Sequence, residues 1–183
     1  MSSNHSGCRT EAALVVLVPE AETLVGPFRK KYDKSAAEGA PAHITINYPF
    51  SITDPTGQYI TDELAKLFSS ITSFQFALTE VRRFPNVLYL APEPIYLFQK
   101  IIHAVAGRFP DSPPYGGHLD EVIPHLTVAE IEDPGVMKKT TGEFKKIAGD
   151  ILPIRSVAGE VSLMIKKGGR WQTRMAFQLA PNL

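Results

Sequence analysis

Two short stretches, His43-Ile44-Thr45-Ile46 and His125-Leu126-Thr127-Val128, both read histidine, apolar, threonine, apolar, nearly half a chain apart. Side chains alternate faces along a β-strand. Each stretch is therefore a strand with one apolar face (Ile44 and Ile46, or Leu126 and Val128). Its other face carries an imidazole beside a hydroxyl. Burying both apolar faces while leaving both polar faces open points to two comparable halves. The chain has five histidines, and two matches of this kind arise by chance about once in a thousand sequences.

The surrounding pattern agrees. Residues 12–18 are a continuous apolar run, read as a buried strand. Helical spacing of Leu24, Phe28 and Tyr32 follows over 20–37, with Pro27 setting the start of regular helix. A strand at 43–48 and a helix at 61–71, opened by Thr61 as a cap, come next. In the strand at 73–81, Phe74, Phe76 and Leu78 alternate with Gln75, Ala77 and Thr79. The order then restarts: strand 87–91, helix 95–107, a Pro/Gly-rich loop, strand 122–129, helix 135–149 and strand 157–167. Leu17-Val18-Pro19-Glu20 is echoed by Leu90-Ala91-Pro92-Glu93, and Lys167-Gly168-Gly169-Arg170 is a hairpin turn between 161–167 and 171–179. The expected fold is α+β and bilobal, with pseudo-twofold duplicated strand-helix-strand-helix-strand units. Mainly antiparallel sheets should surround a central groove. Residues 1–10 read as a disordered polar tail, and 11–183 as a single bilobal domain.

Charge and cysteine content narrow the function. The chain has 183 residues, with 19 basic and 19 acidic side chains and no net charge. A broad nucleic-acid footprint needs a surplus of Lys and Arg, so it is disfavoured, whereas a small phosphate site is not. Cys8 is the only cysteine, which excludes an internal disulfide and suits a reducing compartment. The apolar run at 12–18 has no cleavage pattern, and no stretch approaches the roughly 18 apolar residues of a membrane helix. A cytoplasmic protein is expected, with the nucleus also compatible and no membrane partner. No coiled-coil heptads occur, and a monomer is the expectation.

A pseudo-twofold arrangement would bring two imidazoles and two hydroxyls around one groove. That set suits phosphodiester hydrolysis. One imidazole accepts a proton from the attacking water while the other donates one to the departing oxygen. Histidine titrates near neutrality, so one ring can be neutral and the other charged. Threonine hydroxyls donate to the non-bridging oxygens. No His-x-x-His pair or Cys cluster supplements His43 and His125 as metal ligands, so neither a metal nor a cofactor is expected.

At these residues the chain resembles the two-histidine (2H) phosphoesterase superfamily, in its 2′-5′ RNA ligase-like and cyclic phosphodiesterase branch. Phe28-Arg29-Lys30-Lys31-Tyr32-Asp33, Pro41-Ala42-His43-Ile44-Thr45 and Tyr48-Pro49-Phe50 look like the first-lobe signature. Phe84-Pro85-Asn86-Val87-Leu88-Tyr89-Leu90 and Val122-Ile123-Pro124-His125-Leu126-Thr127 look like its second-lobe counterpart. The resemblance implies a catalytic tetrad of His43, Thr45, His125 and Thr127, with His125 as base, His43 as acid and the threonines on the phosphate. It implies a metal-independent enzyme opening 2′,3′-cyclic phosphates of RNA ends or nucleotides to 2′-phosphates. Reversible 2′-5′ RNA ligation and non-catalytic binding of RNA ends or nucleotides are the alternatives. ADP-ribose cyclic phosphate and 2′-5′ oligoadenylate are further substrates known for this fold.

Other residues are weighed by type and setting. Tyr48, Phe50, Phe84 and Tyr115 are candidates to stack on a base, with Phe84 and Tyr115 favoured by their proline-rich surroundings. Arg174 is a candidate phosphate contact. Trp171 shares its strand face with Met175, Phe177 and Leu179 and reads as core. Arg82, Arg83, Lys166, Lys167 and Arg170 read as solvated surface, and His118 as an exposed loop residue.

Overall fold

A computed structural model of the chain describes residues 11–52, 57–114 and 122–182. The elements run β1 (Ala12–Leu17), a 3-10 turn (Pro19–Ala21), α1 (Glu22–Tyr32), α2 (Lys34–Ala37), β2 (His43–Phe50), α3 (Gln58–Ser69) and β3 (Phe74–Arg83). They continue β4 (Val87–Glu93), α4 (Ile95–Arg108), β5 (Leu126–Glu130), α5 (Pro134–Ala148), β6 (Ile154–Ala158), β7 (Glu160–Lys167) and β8 (Arg170–Gln178). The expected polar tail, and Tyr115 and His118 in the Pro/Gly-rich loop, lie outside the described residues.

The strands form one ladder in the order β6-β3-β4-β5-β2-β1-β7-β8. Neighbouring strands pair antiparallel throughout. The α+β, bilobal, antiparallel expectation is borne out, with the two lobes meeting at β2 and β5. The halves also interlock. The third strand of the first half, β3, pairs with β4 of the second, while β7 of the second half returns to pair with β1. The first helices cross in the same way: α1 packs on β5 and α4 packs on β2.

Alternation places the core. Ile44, Ile46, Leu126 and Val128 are fully buried, within one apolar cluster that also takes in Leu24 and Val25 of α1, Phe98 and Ile101 of α4 and Phe144 of α5. Phe98 fills the space over β3, edge-on to Phe74 at 5.2 Å and to Phe76 at 4.9 Å. The half-buried strand expected there is present, with Phe74, Phe76 and Leu78 inward. The opposite face of β2 and β5 holds the partly exposed His43, Thr45 and Thr127. His125, also partly exposed, stands immediately before β5, which starts at Leu126 instead of spanning the expected 122–129.

Two expected elements are divided. The helix expected over 20–37 breaks at Asp33, whose backbone is extended and whose carboxylate caps α2 by accepting from the Ser35 amide at 2.8 Å. Pro27 lies inside α1 instead of opening it. The strand expected over 157–167 is two strands parted at Gly159: β6 pairs with β3 at one edge, and β7 crosses to β1. Among the described residues, no helix is long and apolar enough to cross a membrane.

Candidate active site

The register of the central ladder brings the two motifs together. Ile44 pairs with Leu126, and in an antiparallel pair this sets His43 opposite Thr127 and Thr45 opposite His125. The two histidines are then diagonal neighbours, at about 7–8 Å in a regular ladder. All four side chains line one cavity of about 420 Å³.

Both rings are held alike. His43 Nδ1 lies 2.7 Å from the Pro41 carbonyl, and His125 Nδ1 lies 2.7 Å from the Ile123 carbonyl. In each case the partner is two residues back. A carbonyl only accepts, so Nδ1 carries the hydrogen and Nε2 is left as the working nitrogen. A second tether reaches the first motif from α1, where Glu22 accepts from the Ala42 amide at 2.7 Å. Behind His125 stand Phe84 and Tyr89, each with its ring centroid 5.3 Å from the imidazole, and these two stack on each other at 4.5 Å.

Surroundings separate the twins. Burial, then the Arg29 cation, lowers the His43 pKa to about 4. The ring edge opens on the cavity, but dense protein on its other sides withholds the water an imidazolium needs. Burial lowers His125 as well, opposed by its bond to Ile123. Arg29 is itself buried, its Nε 2.9 Å from Asp33. Asp33 accepts from Ser35 Oγ at 2.7 Å, and Asp33 and Ser35 both line the cavity.

The cavity extends from the histidines over the first lobe. There Lys166 Nζ lies 2.8 Å from Glu38 and 3.5 Å from Glu11. Tyr48 donates to Glu11 at 2.6 Å, a bond that raises the phenol's pKa. Trp171 meets Tyr48 edge-on at 6.2 Å.

The expected substrate contacts divide. Tyr48 lines the cavity. Phe84 backs His125 instead of lining that cavity, and Tyr115 lies outside the described residues. Phe50 is core, against Phe109 at 5.4 Å. Arg174 is not brought to the cavity: its guanidinium nitrogen comes within 2.9 Å of where a Cβ on Gly57 would sit. Conversely, Trp171 and Lys166 are cavity residues, not core or open surface. A bulge explains the tryptophan. Met164 pairs with Thr173 but Leu163 with Met175, so Arg174 is the extra residue. Beyond the extra residue the alternation inverts, and Trp171 and Phe177 take opposite faces. No sequence pattern marked this bulge. Among the described residues no group of three or more His, Cys, Asp or Glu is arranged to hold a metal.

Comparison with known proteins agrees with this architecture. A model of the 2′-5′ RNA ligase superfamily matches residues 17–170. The chain belongs to that superfamily. Similar proteins include a Staphylococcus epidermidis protein provisionally named a phosphoesterase, 28% identical over 147 residues, which cover 76% of this chain and 80% of the relative. A Bacillus pumilus protein similarly named is 27% identical over 121 residues, covering 63% of this chain and 68% of its own. Escherichia coli LigT, solved with 3′-AMP, has the same fold at a TM-score of 0.67 and 12% identity, over 93% of this chain and 98% of LigT. LigT solved with NADP+ gives 0.60 at 13% identity, over 94% and 98%.

Proposed function

We propose that this chain is a metal-independent phosphodiesterase that hydrolyses 2′,3′-cyclic phosphates of RNA ends or nucleotides to 2′-phosphates. One observation carries the reading: two imidazoles, each oriented by a carbonyl two residues back, share one cavity with two threonine hydroxyls. Water attacks phosphorus as one Nε2 takes its proton. The bond from phosphorus to the 3′ oxygen breaks, and the other imidazole protonates that oxygen. Thr45 and Thr127 donate to the non-bridging oxygens. That LigT has been solved with 3′-AMP, NADP+ and ATP supports a nucleotide-sized ligand in a groove of this fold.

The surroundings of the two rings differ, and the difference bears on their roles. Resemblance implies His125 as base and His43 as acid. In the free site, however, His43 has the deeper shift and is neutral at pH 7. Burial lowers His125 as well, but without a neighbouring cation adding to it. This gradient favours His43 as base and His125 as acid. An activated diester separates the orders, because a nitrophenolate leaves without a proton. 4-Nitrophenyl phenyl phosphate should rescue the variant lacking the acid, His125→Ala, and not His43→Ala; rescue of His43→Ala alone restores the order implied by resemblance.

The decisive assay is turnover of 2′,3′-cyclic AMP in excess EDTA, with phosphorus NMR identifying a 2′-phosphate product. His43→Ala and His125→Ala should each lose about 10²–10⁴-fold in rate. Undiminished activity in either variant refutes the acid–base pair.

A further inference from the structure

The cavity floor beside the histidines is apolar and separate from the main core. Ala13, Val15, Ala40 and Met164 form a small buried cluster of their own, with the partly buried Tyr48 and Trp171 packed on it. These residues line the same cavity as His43 and Thr45. A phosphate site alone has no use for such a platform, whereas a flat, uncharged ring does.

The charges point the same way. Among the described residues the cavity is lined by four carboxylates (Glu11, Asp33, Glu38, Glu130) and two ammonium groups, Lys34 and Lys166. Lys166 is committed: Glu38 holds it at 2.8 Å and Glu11 at 3.5 Å, with its side chain only 19% exposed. Its pKa is raised by the bond to Glu38, and that of Glu38 is lowered in return. Burial, then the Asp33 carboxylate, raises the pKa of Glu130. A strand of RNA is held chiefly by Lys and Arg displacing its counterions. Here carboxylates outnumber ammonium groups in the described lining, so any further phosphate drawn into the cavity meets net negative charge. A single phosphate seated on Thr45 and Thr127 avoids that penalty. The volume of about 420 Å³ also lies in the range of small-molecule sites.

We infer that the groove is built for a cyclic mononucleotide, a single phosphate with its neutral base on the Trp171 platform, and not for the end of an RNA strand. Glu11 and Glu38 lie along the platform's edge as acceptors for N–H groups of the base. This rests on the phosphodiesterase reading, but its test is separable because Trp171 is the only tryptophan. Its fluorescence reports directly on what stacks there.

The full chain is titrated with 2′-AMP, with inorganic phosphate, and with a ten-residue RNA ending in a 2′-phosphate. Saturable quenching by 2′-AMP, with little response to phosphate, is expected. Turnover is measured on 2′,3′-cyclic AMP and on the same RNA with a cyclic phosphate end. The mononucleotide should be favoured at least tenfold in kcat/KM, with a shallow salt dependence. Trp171→Leu should raise its KM about tenfold. Preference for the oligomer, falling steeply with salt, overturns the inference and leaves the phosphodiesterase reading intact. So does turnover with no quenching by 2′-AMP. Quenching without turnover of either substrate does the reverse, keeping the nucleotide seat and removing the reaction.

Discussion

At the scale of single residues, the fold keeps the His43 imidazole neutral in a place poor in water. This has a consequence for stability. The folded chain holds His43 at about 4, against an ordinary value of 6.5. As pH falls, the unfolded chain therefore takes up the proton first. Stability from this residue is complete above about pH 6.5, declines between there and about pH 4, and is level below that. The ceiling is about 3 kcal/mol, reduced by water reaching the ring from the cavity. Urea midpoints of the wild type and His43→Gln, measured at pH 7.5 and 4.5, should converge or cross in favour of the variant at the lower pH. A gap that stays constant shows that the ring is not desolvated. The cluster of His43, Thr45, His125 and Thr127 was legible in the sequence because its pattern is local and occurs twice. Trp171, Lys166, Glu11 and Glu38 were not. Their meeting depends on a bulge at Arg174 and on pairing between chain segments far apart in sequence.

At the scale of elements, legibility followed periodicity. Phe74, Phe76 and Leu78 on β3 alternate, and that strand lies where it was expected. Breaks were harder to see, since each depends on a tertiary partner. Asp33 ends α1 because its carboxylate is shared between the Arg29 guanidinium and the Ser35 amide and hydroxyl. Nothing in the spacing of Leu24, Phe28 and Tyr32 records that bond. Likewise, the alternation of β6 and the buried run of β7 merge unless it is known that the chain changes sheet edge at Gly159. The α1 device has a measurable energy. Arg29→Met strands a buried carboxylate, and breaking such a pair costs about 3–5 kcal/mol. Ser35 still donates to Asp33, so the loss should fall toward the lower end. Arg29→Met with Asp33→Asn, which keeps a capping oxygen without the charge, should recover part of it. A loss below about 1 kcal/mol in urea denaturation would show that the pair is not dry.

At the scale of the whole molecule, duplication and interlocking pull in different directions. Two lobes of similar construction invite separate unfolding, yet neither lobe is complete from its own half of the chain. The first half sends β3 to the second lobe, and the second returns β7 and β8 to the first. Helices α1 and α4 each pack on the other half's motif strand. Between the lobes the ladder itself is slight, in register at Ile44 and Leu126. Cooperativity must therefore come mainly from the exchanged strands and helices and from the apolar cluster that spans both lobes. Trp171 makes this testable, because the sole tryptophan lies on β8 at the outer edge of the first lobe and reports on that lobe alone. Far-UV circular dichroism reports on both. If the exchange couples the lobes, the two signals trace one urea transition with the same midpoint and slope, which is the mark of two-state unfolding. An earlier fluorescence transition, with β3, β4 and β5 still folded, would mean that the single register pair at the centre is a seam and the exchanged strands do not bind it.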